Sequence, residues 1–348
     1  MHGILPRMTS LEHSTVRVGL LGAGTVGSAL MGLASRRRDS GFQVSQVLVQ
    51  DLKKSRPASV AKELLTLDPD EVVSNSDILV DVMGGVGLAT KLTLRFLESG
   101  KTVVTANKAA LAERWSDFIP HFAEGRIHFE AAVMAGTPVV GPLWQVLRSS
   151  QPLELHAILN GTCNYIVGQL EAGISYPEAL AEAQRLGFAE ADPTLDVGGY
   201  DTAHKLCLLA RLGFSPELLW ESVKSDTRGI NHLTPMIIRE VMEQGGRVRL
   251  VGSVVPRDES WRLCVRPVIL PEDHPLISAS GSKNGLLFRG DPVGEVLISG
   301  PGAGGGPTAS AVLADIEAVV QGRSGPKQPT FAASVPRDYS FEDLVELE

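Results

Sequence analysis

The chain has 348 residues, of which 43% are hydrophobic and 21% charged, and a formal net charge of -8. That length exceeds what one hydrophobic core usually serves, so more than one domain is expected, and the composition excludes extended disorder. The acidic balance, with Lys and Arg scattered, excludes a nucleic-acid partner, and no apolar run approaches the roughly 20 residues that cross a bilayer. The one tight basic run, Arg36-Arg37-Arg38, reads as a solvated helix end. Cys163, Cys207 and Cys264 form no disulfide framework and suit a reducing compartment. Met1 to Thr15 lacks the apolar stretch of a secretory signal, so a cytoplasmic location is expected.

Val16–Leu21 is short and largely apolar, as a strand buried in a parallel sheet should be. Gly22-Ala-Gly24-Thr25-Val26-Gly27 follows at once and opens onto Ser28–Ala34, which reads as a helix. A second strand is expected over Phe42–Gln50, ending at Asp51, and a third over Ile78–Met83, ending at Gly84-Gly85. A helix over Ala89–Glu98 leads through Gly100 to a strand over Thr102–Thr105. This alternation predicts a doubly wound α/β sheet over residues 16–145. The pattern changes around Pro138–Arg148. Ser175-Tyr-Pro-Glu178 is a capping box, followed by an apolar stripe (Ala179, Leu180, Ala183, Leu186) and a stop at Gly187. Asp201–Leu212 is a further helix, closed by Gly213. Val248–Val255 and Trp261–Leu270 alternate as antiparallel strands do. The glycine-dense Gly300–Pro307 precedes an apolar helix over Thr308–Val320, expected to pack back on the first domain. The second domain is placed at 146–300, and 323–348, rich in Pro, Ser and charge, is expected to be loosely held.

The first glycine loop lies in the strand–turn–helix context of a Rossmann-type dinucleotide site. Gly22 permits the turn, Gly24 admits the pyrophosphate, and Gly27 lets helix and strand approach. The phosphates would sit at the helix N-terminus, at Thr25 and Val26, where free N–H groups favour anions. Asp51 stands where an acid accepts bonds from the ribose of NAD, whereas Lys53, Lys54 and Arg56 could take the 2′-phosphate of NADP. The cofactor is therefore NAD or NADP.

Further stretches carry a resemblance. They are Thr105-Ala-Asn-Lys-Ala109, Phe129-Glu-Ala-Ala-Val-Met-Ala-Gly-Thr-Pro138, Leu159-Asn-Gly-Thr-Cys-Asn-Tyr165, and Ala183 to Asp196 with Gly199-Tyr-Asp-Thr-Ala-His-Lys205. Gly300-Pro-Gly-Ala-Gly304 with Pro307-Thr-Ala-Ser-Ala311 completes the set. In combination they resemble the homoserine dehydrogenases, over roughly residues 16 to 321. The resemblance implies a mixed α+β substrate-binding and dimerisation domain beside the nucleotide domain, and a homodimer or higher homo-oligomer. It implies NAD(P)-dependent interconversion of L-aspartate 4-semialdehyde and L-homoserine, in threonine and methionine biosynthesis. Many members carry a C-terminal threonine-sensing domain, and this chain is expected to be a short form without one.

Reducing an aldehyde by hydride transfer puts negative charge on its oxygen, so a cationic acid must sit beside it. Lys205 suits that role, and Asp201, four positions earlier, shares its helix face. The same spacing also serves an ordinary surface ion pair. The resemblance implies Lys205 as proton donor, Asp201 and Glu190 as substrate ligands, and Gly187 as backbone facing both ligands. It implies Lys108 against both cofactor and substrate hydroxyl, and Gly302 against the cofactor. Glu130, Val133, Ala135 and Thr137 resemble the family's monovalent cation site, hard-oxygen ligation suited to sodium. A structural salt bridge at Glu130 is the rival reading. The alternative enzyme is a thiol-dependent aldehyde dehydrogenase with Cys163 as nucleophile. His204 is expected to point away from the chemistry.

Overall fold

The computed structural model describes residues 15–37, 40–189, 191–327, 333–336, 339 and 344–347. The first half runs β1 (Val16–Leu21), α1 (Thr25–Ala34), β2 (Phe42–Leu48), β3 (Leu65–Thr66), α2 (Pro69–Ser74) and β4 (Ile78–Asp81). It continues α3 (Leu88–Glu98), β5 (Thr102–Thr105), α4 (Lys108–Glu113), α5 (Trp115–Ala123) and β6 (Ile127–His128). The strands form one parallel sheet in the order β3-β2-β1-β4-β5-β6. Val18, Leu20, Leu79, Val80, Val103 and Val104 are fully covered, as strands with helices on both faces must be. The strand order reverses between β1 and β4, which opens a crevice at their carboxyl ends.

Two of these strands stop earlier than the sequence suggests, for the same reason. β2 ends at Leu48 rather than Gln50, and Asp51 Oδ1 accepts the Lys53 N–H at 2.7 Å to start a turn. β4 ends at Asp81, whose buried carboxylate accepts the N–H groups of Met83 (3.0 Å) and Gly84 (3.4 Å) and so bends the chain. Asn107 Nδ2 donates to the other Asp81 oxygen at 2.9 Å, and this ties the end of β4 to the start of α4.

The remainder comprises α6 (Ala131–Met134), α7 (Val140–Gln145), β7 (Gln151–Ile158), α8 (Gly161–Glu171), α9 (Tyr176–Arg185), α10 (Thr194–Val197) and α11 (Tyr200–Gly213). Then come α12 (Trp220–Ser225), α13 (Pro235–Glu243), β8 (Gly246–Arg257), β9 (Ser260–Pro271), β10 (Lys283–Asp291), β11 (Gly294–Pro301), α14 (Gly305–Val320) and β12 (Val345–Glu346). A second sheet, all antiparallel, has the order β11-β10-β7-β8-β9-β12. The capping box at Ser175 forms as expected. One apolar core runs from Leu21, Val103 and Phe118 through Cys163 and Leu206 to Phe288, so α8 and α11 lie between the two sheets' contributions.

α14 begins at Gly305, three residues ahead of the expected Thr308, and packs on α1. Its Ala309, Val312 and Ile316 share a cluster with Val18, Leu20, Leu30 and Met31. Of the 323–348 stretch expected to be loosely held, the described residues make several contacts. β12 pairs with β9, Trp261 Nε1 donates to Ala333 O at 3.2 Å, and Arg262 Nη2 meets Glu346 Oε1 at 3.1 Å.

Candidate active site

The carboxyl ends of β4 and β5, the segment after β7, the N-terminal part of α11 and the loop after β11 converge on one cleft of about 680 Å³. Val26, Lys108, Val133, Ala135, Gly187, Asp201, Lys205 and Gly302 line it. Gly22, Gly24 and Asp51 line an adjoining depression with Lys54 and Arg56, and Thr25 lines a groove that shares Gly24, Lys54 and Arg56. Glu190 lies outside the described residues.

The glycine loop has the geometry its spacing implies. Gly22 adopts φ 101°, a conformation L side chains rarely adopt. A Cβ on Gly27 would stand 2.1 Å from Gly22 O, so helix and turn touch through backbone alone. A Cβ on Gly24 would meet nothing within 4 Å. That open space lies at the α1 N-terminus, which no side chain among the described residues caps, so its first amides are available to an anion. The residues present thus fit a dinucleotide.

At the other end of the cleft, Lys205 is only 8% exposed. Its Nζ donates to Leu159 O at 2.7 Å and to Asp201 Oδ2 at 2.7 Å. Lys108 Nζ reaches Asp201 Oδ1 at 3.1 Å from the opposite wall. Asn160 Nδ2 donates to Asp201 Oδ2 at 2.9 Å and to Asp196 Oδ1 at 2.7 Å, while Asn160 Oδ1 accepts the Cys163 N–H that starts α8. Two ammonium groups thus share one buried carboxylate, which a surface ion pair would not do. Burial pushes the Asp201 carboxyl up, but the charges of Lys205 and Lys108 outweigh it and hold it far below the usual carboxylate range. Burial lowers Lys205 below the ordinary lysine value and Lys108 adds to this, against the upward pull of Asp201. The result is an ammonium that gives up its proton more readily than a solvated lysine.

Asn160 and Asp196 belong to this site but were not singled out in the sequence. Both lie inside the quoted motifs, and the signal was an Asn placed where a strand gives way to a helix N-cap. Burial, with the charge of Asp201, raises the Asp196 carboxyl. Among the described residues, the Glu130 carboxylate forms no salt bridge with a base. It accepts the N–H groups of Val139 (2.7 Å), Val140 (2.8 Å) and Gly141 (2.7 Å) at the start of α7. Ala135, in the turn beside it, takes φ 50°.

Two family models match, "Homoserine dehydrogenase, NAD binding domain" over residues 22–130 and "Homoserine dehydrogenase" over 138–316. The Bacillus subtilis homoserine dehydrogenase is 39% identical across 88% of this chain and 73% of that protein. The crystal structure of a homoserine dehydrogenase from Thiobacillus denitrificans is similar with a TM-score of 0.82 at 37% identity, covering 88% of this chain and 73% of that one.

The chain belongs to the homoserine dehydrogenase family.

A putative homoserine dehydrogenase from Archaeoglobus fulgidus is also similar, with TM-score 0.76 and 31% identity, over 88% of this chain and 99% of its own. Homoserine dehydrogenases are NAD(P)-dependent oxidoreductases acting on the CH–OH group of homoserine, and the cleft suits that chemistry. The thiol-dependent alternative finds no support in it. Cys163 is fully buried, its Sγ donates to Asp196 O at 3.1 Å, and burial pushes the thiol well above its ordinary value. A nucleophilic cysteine needs the opposite environment. Among the described residues, no helix is long and apolar enough to cross a membrane.

Proposed function

We propose that the cleft interconverts L-aspartate 4-semialdehyde and L-homoserine, with Lys205 as the acid that protonates the developing alkoxide. The observation that carries this is the Lys205–Asp201–Lys108 cluster, with Lys205 buried, in a cleft that Val26 of α1 also lines. When bound, the nicotinamide cofactor supplies or accepts the hydride. Lys205 then delivers a proton from Nζ to the oxygen that gains charge, and Asp201 holds Nζ in place through its 2.7 Å bond. Lys108, which reaches the same carboxylate from the start of α4, would orient the substrate hydroxyl. Asp201, Asp196 and Glu190 supply negative charge for the substrate ammonium, and Gly187 and Gly302 bring backbone against the ligands. The nucleotide-binding domain covers residues 16–145 with α14 packed on it, the substrate-binding domain covers 146–300, and Lys108 and Gly302 reach across between them.

NADP is the favoured cofactor. The Asp51 carboxylate is engaged by its own turn, while Arg56, fixed by bonds to Asp51 O (2.8 Å) and Lys54 O (3.0 Å), lines the depression with Lys54. A related hyperthermophilic archaeal homoserine dehydrogenase, 27% identical, was solved in complex with NADPH. A sodium ion would be held by backbone oxygens of Glu130, Val133, Ala135 and Thr137, since the Glu130 carboxylate is occupied by three amides. Asp315, which accepts the Glu130 N–H at 3.0 Å, puts a second carboxyl beside that turn; burial and the charge of Glu130 raise it to about 8. The three free cysteines suit a cytoplasmic enzyme, and the family resemblance supports a homo-oligomer.

The test is absorbance of the reduced cofactor with homoserine and NAD or NADP in turn. Homoserine-dependent reduction is expected, faster at limiting NADP. Turnover of other hydroxy acids with none of homoserine would refute the substrate assignment.

A further inference from the structure

α4 carries Lys108 at its first residue and Glu113 at its last. It follows β5 of the nucleotide-binding sheet, whereas α11 carries Asp201 and Lys205. Hydride transfer therefore depends on how these two helices sit against one another. α11 presents Asp201, His204, Leu208 and Arg211 at spacings of three, four and three, which is one helical face. Three of these residues bond to α4 or its end. Asp201 meets Lys108, His204 Nε2 meets Glu113 Oε1 at 2.8 Å, and Arg211 Nη1 donates to Ala112 O at 2.8 Å. His204 is 4% exposed, and its ring stacks on Trp220 with centroids 4.3 Å apart and planes 17° apart. A carboxylate can only accept, so Nε2 is the donor to Glu113. The imidazole thus has a fixed plane, a fixed hydrogen and one acceptor on the other helix.

We infer that His204 and Glu113 are positioning residues, which hold α4 against α11 so that Lys108 meets the Asp201 carboxylate beside Lys205. Neither touches the reacting atoms. Glu113 is anchored five residues beyond Lys108 on a helix that Asn107 caps by accepting the Ala110 N–H at 3.2 Å, so a shift at Glu113 is passed to Lys108 as a rigid-body movement. Small displacements matter here, because misplacement by about 1 Å can cost on the order of 100-fold in rate.

This rests on the reading that Lys108 works at the reacting centre, and the test separates the two. Homoserine turnover is measured for His204→Ala, Lys108→Met and the double variant. His204→Ala is expected to lower kcat on the order of tenfold, with a further loss under about twofold when Lys108 is already Met. His204→Gln keeps an N–H near the Nε2 position and should recover most of the rate, as no purely space-filling role would allow. Glu113→Gln, at a side chain 34% exposed, serves if His204→Ala does not fold, and should show the same non-additivity with Lys108→Met. Additive losses, or normal kcat in both variants, would overturn the inference. If Lys108→Met alone leaves kcat intact, the role given to Lys108 fails. Hydrogen exchange then decides the clamp, since amides of α4 should exchange faster in His204→Ala while those of α8 do not, and unchanged exchange in α4 would overturn it.

Discussion

Lys205 is pulled in two directions, and the balance sets how its rate should follow pH. Burial and Lys108 lower its pKa and Asp201 raises it, with a net fall from 10.5. Homoserine oxidation needs the neutral amine to take a proton, so its kcat should rise with pH along a limb centred below 10.5. Reduction of the semialdehyde needs the ammonium and should fall over the same range. Asp201→Asn removes the charge that holds the proton on, so the limb should move to lower pH as kcat drops. A limb that moves upward would contradict the pairing. Lys205→Ala should cost about 10²–10⁴ in kcat, and Lys205→Arg should not rescue it, because a guanidinium holds its proton too tightly. Stopped-flow rates for both variants check this. The spacing of Asp201 and Lys205 made their pairing legible in the sequence, since four residues on a helix fix a shared face. The bond from His204 to Glu113 was not, because the partners are 91 residues apart and only packing joins them. The sequence places His204 away from the chemistry, and it does not line the cleft, but nothing in the sequence shows what it bonds to.

At the scale of elements, β1, β5, the glycine loop and α11 were readable because each has a period or a motif with its own physical cause. β7, β10 and β11 were not read as strands. β7 and β10 are covered on both faces, so neither face is polar enough to show the alternation, and β11 is an edge strand whose exposed face carries the apolar Leu297 between Val296 and Ile298. The glycine loop predicts a contrast between two substitutions. Gly24→Ala should fold with a normal melting temperature, as its Cβ meets no atom of the described residues within 4 Å, yet bind NADP on the order of tenfold more weakly. Gly27→Ala should instead destabilise the protein by about 1–3 kcal/mol, because its Cβ would strike the Gly22 carbonyl. Cofactor titration and thermal melting of the pair distinguish these. In the turn after β2, Arg56→Ala should raise the KM for NADP about tenfold or more and leave that for NAD nearly unchanged. Equal effects on both would assign Arg56 to the turn alone.

For the whole molecule, the described residues from 333 onward contact the antiparallel sheet and its surroundings, whereas Gly325 bonds to Gly125 of the nucleotide-binding half. Arg262 bridges Asp226 and Glu346, and Trp261, packed edge-on to Phe214, bonds to Ala333. Deleting residues 333–348 should therefore lower stability by about 1–3 kcal/mol in denaturant titration while kcat for homoserine stays near normal. A dead but folded truncation would show that the tail reaches the chemistry. α14 has a different consequence. The apolar flank of α1 and the sheet beneath it are completed by Ala309, Val312 and Ile316, from nearly 300 residues downstream. On a ribosome, the nucleotide-binding half emerges well before α14 and lacks this wall until residues 305–320 have been made. Synthesis order and folding order are thus decoupled, and a nascent chain must wait for residues 305–320 before its earliest strand is sealed from water.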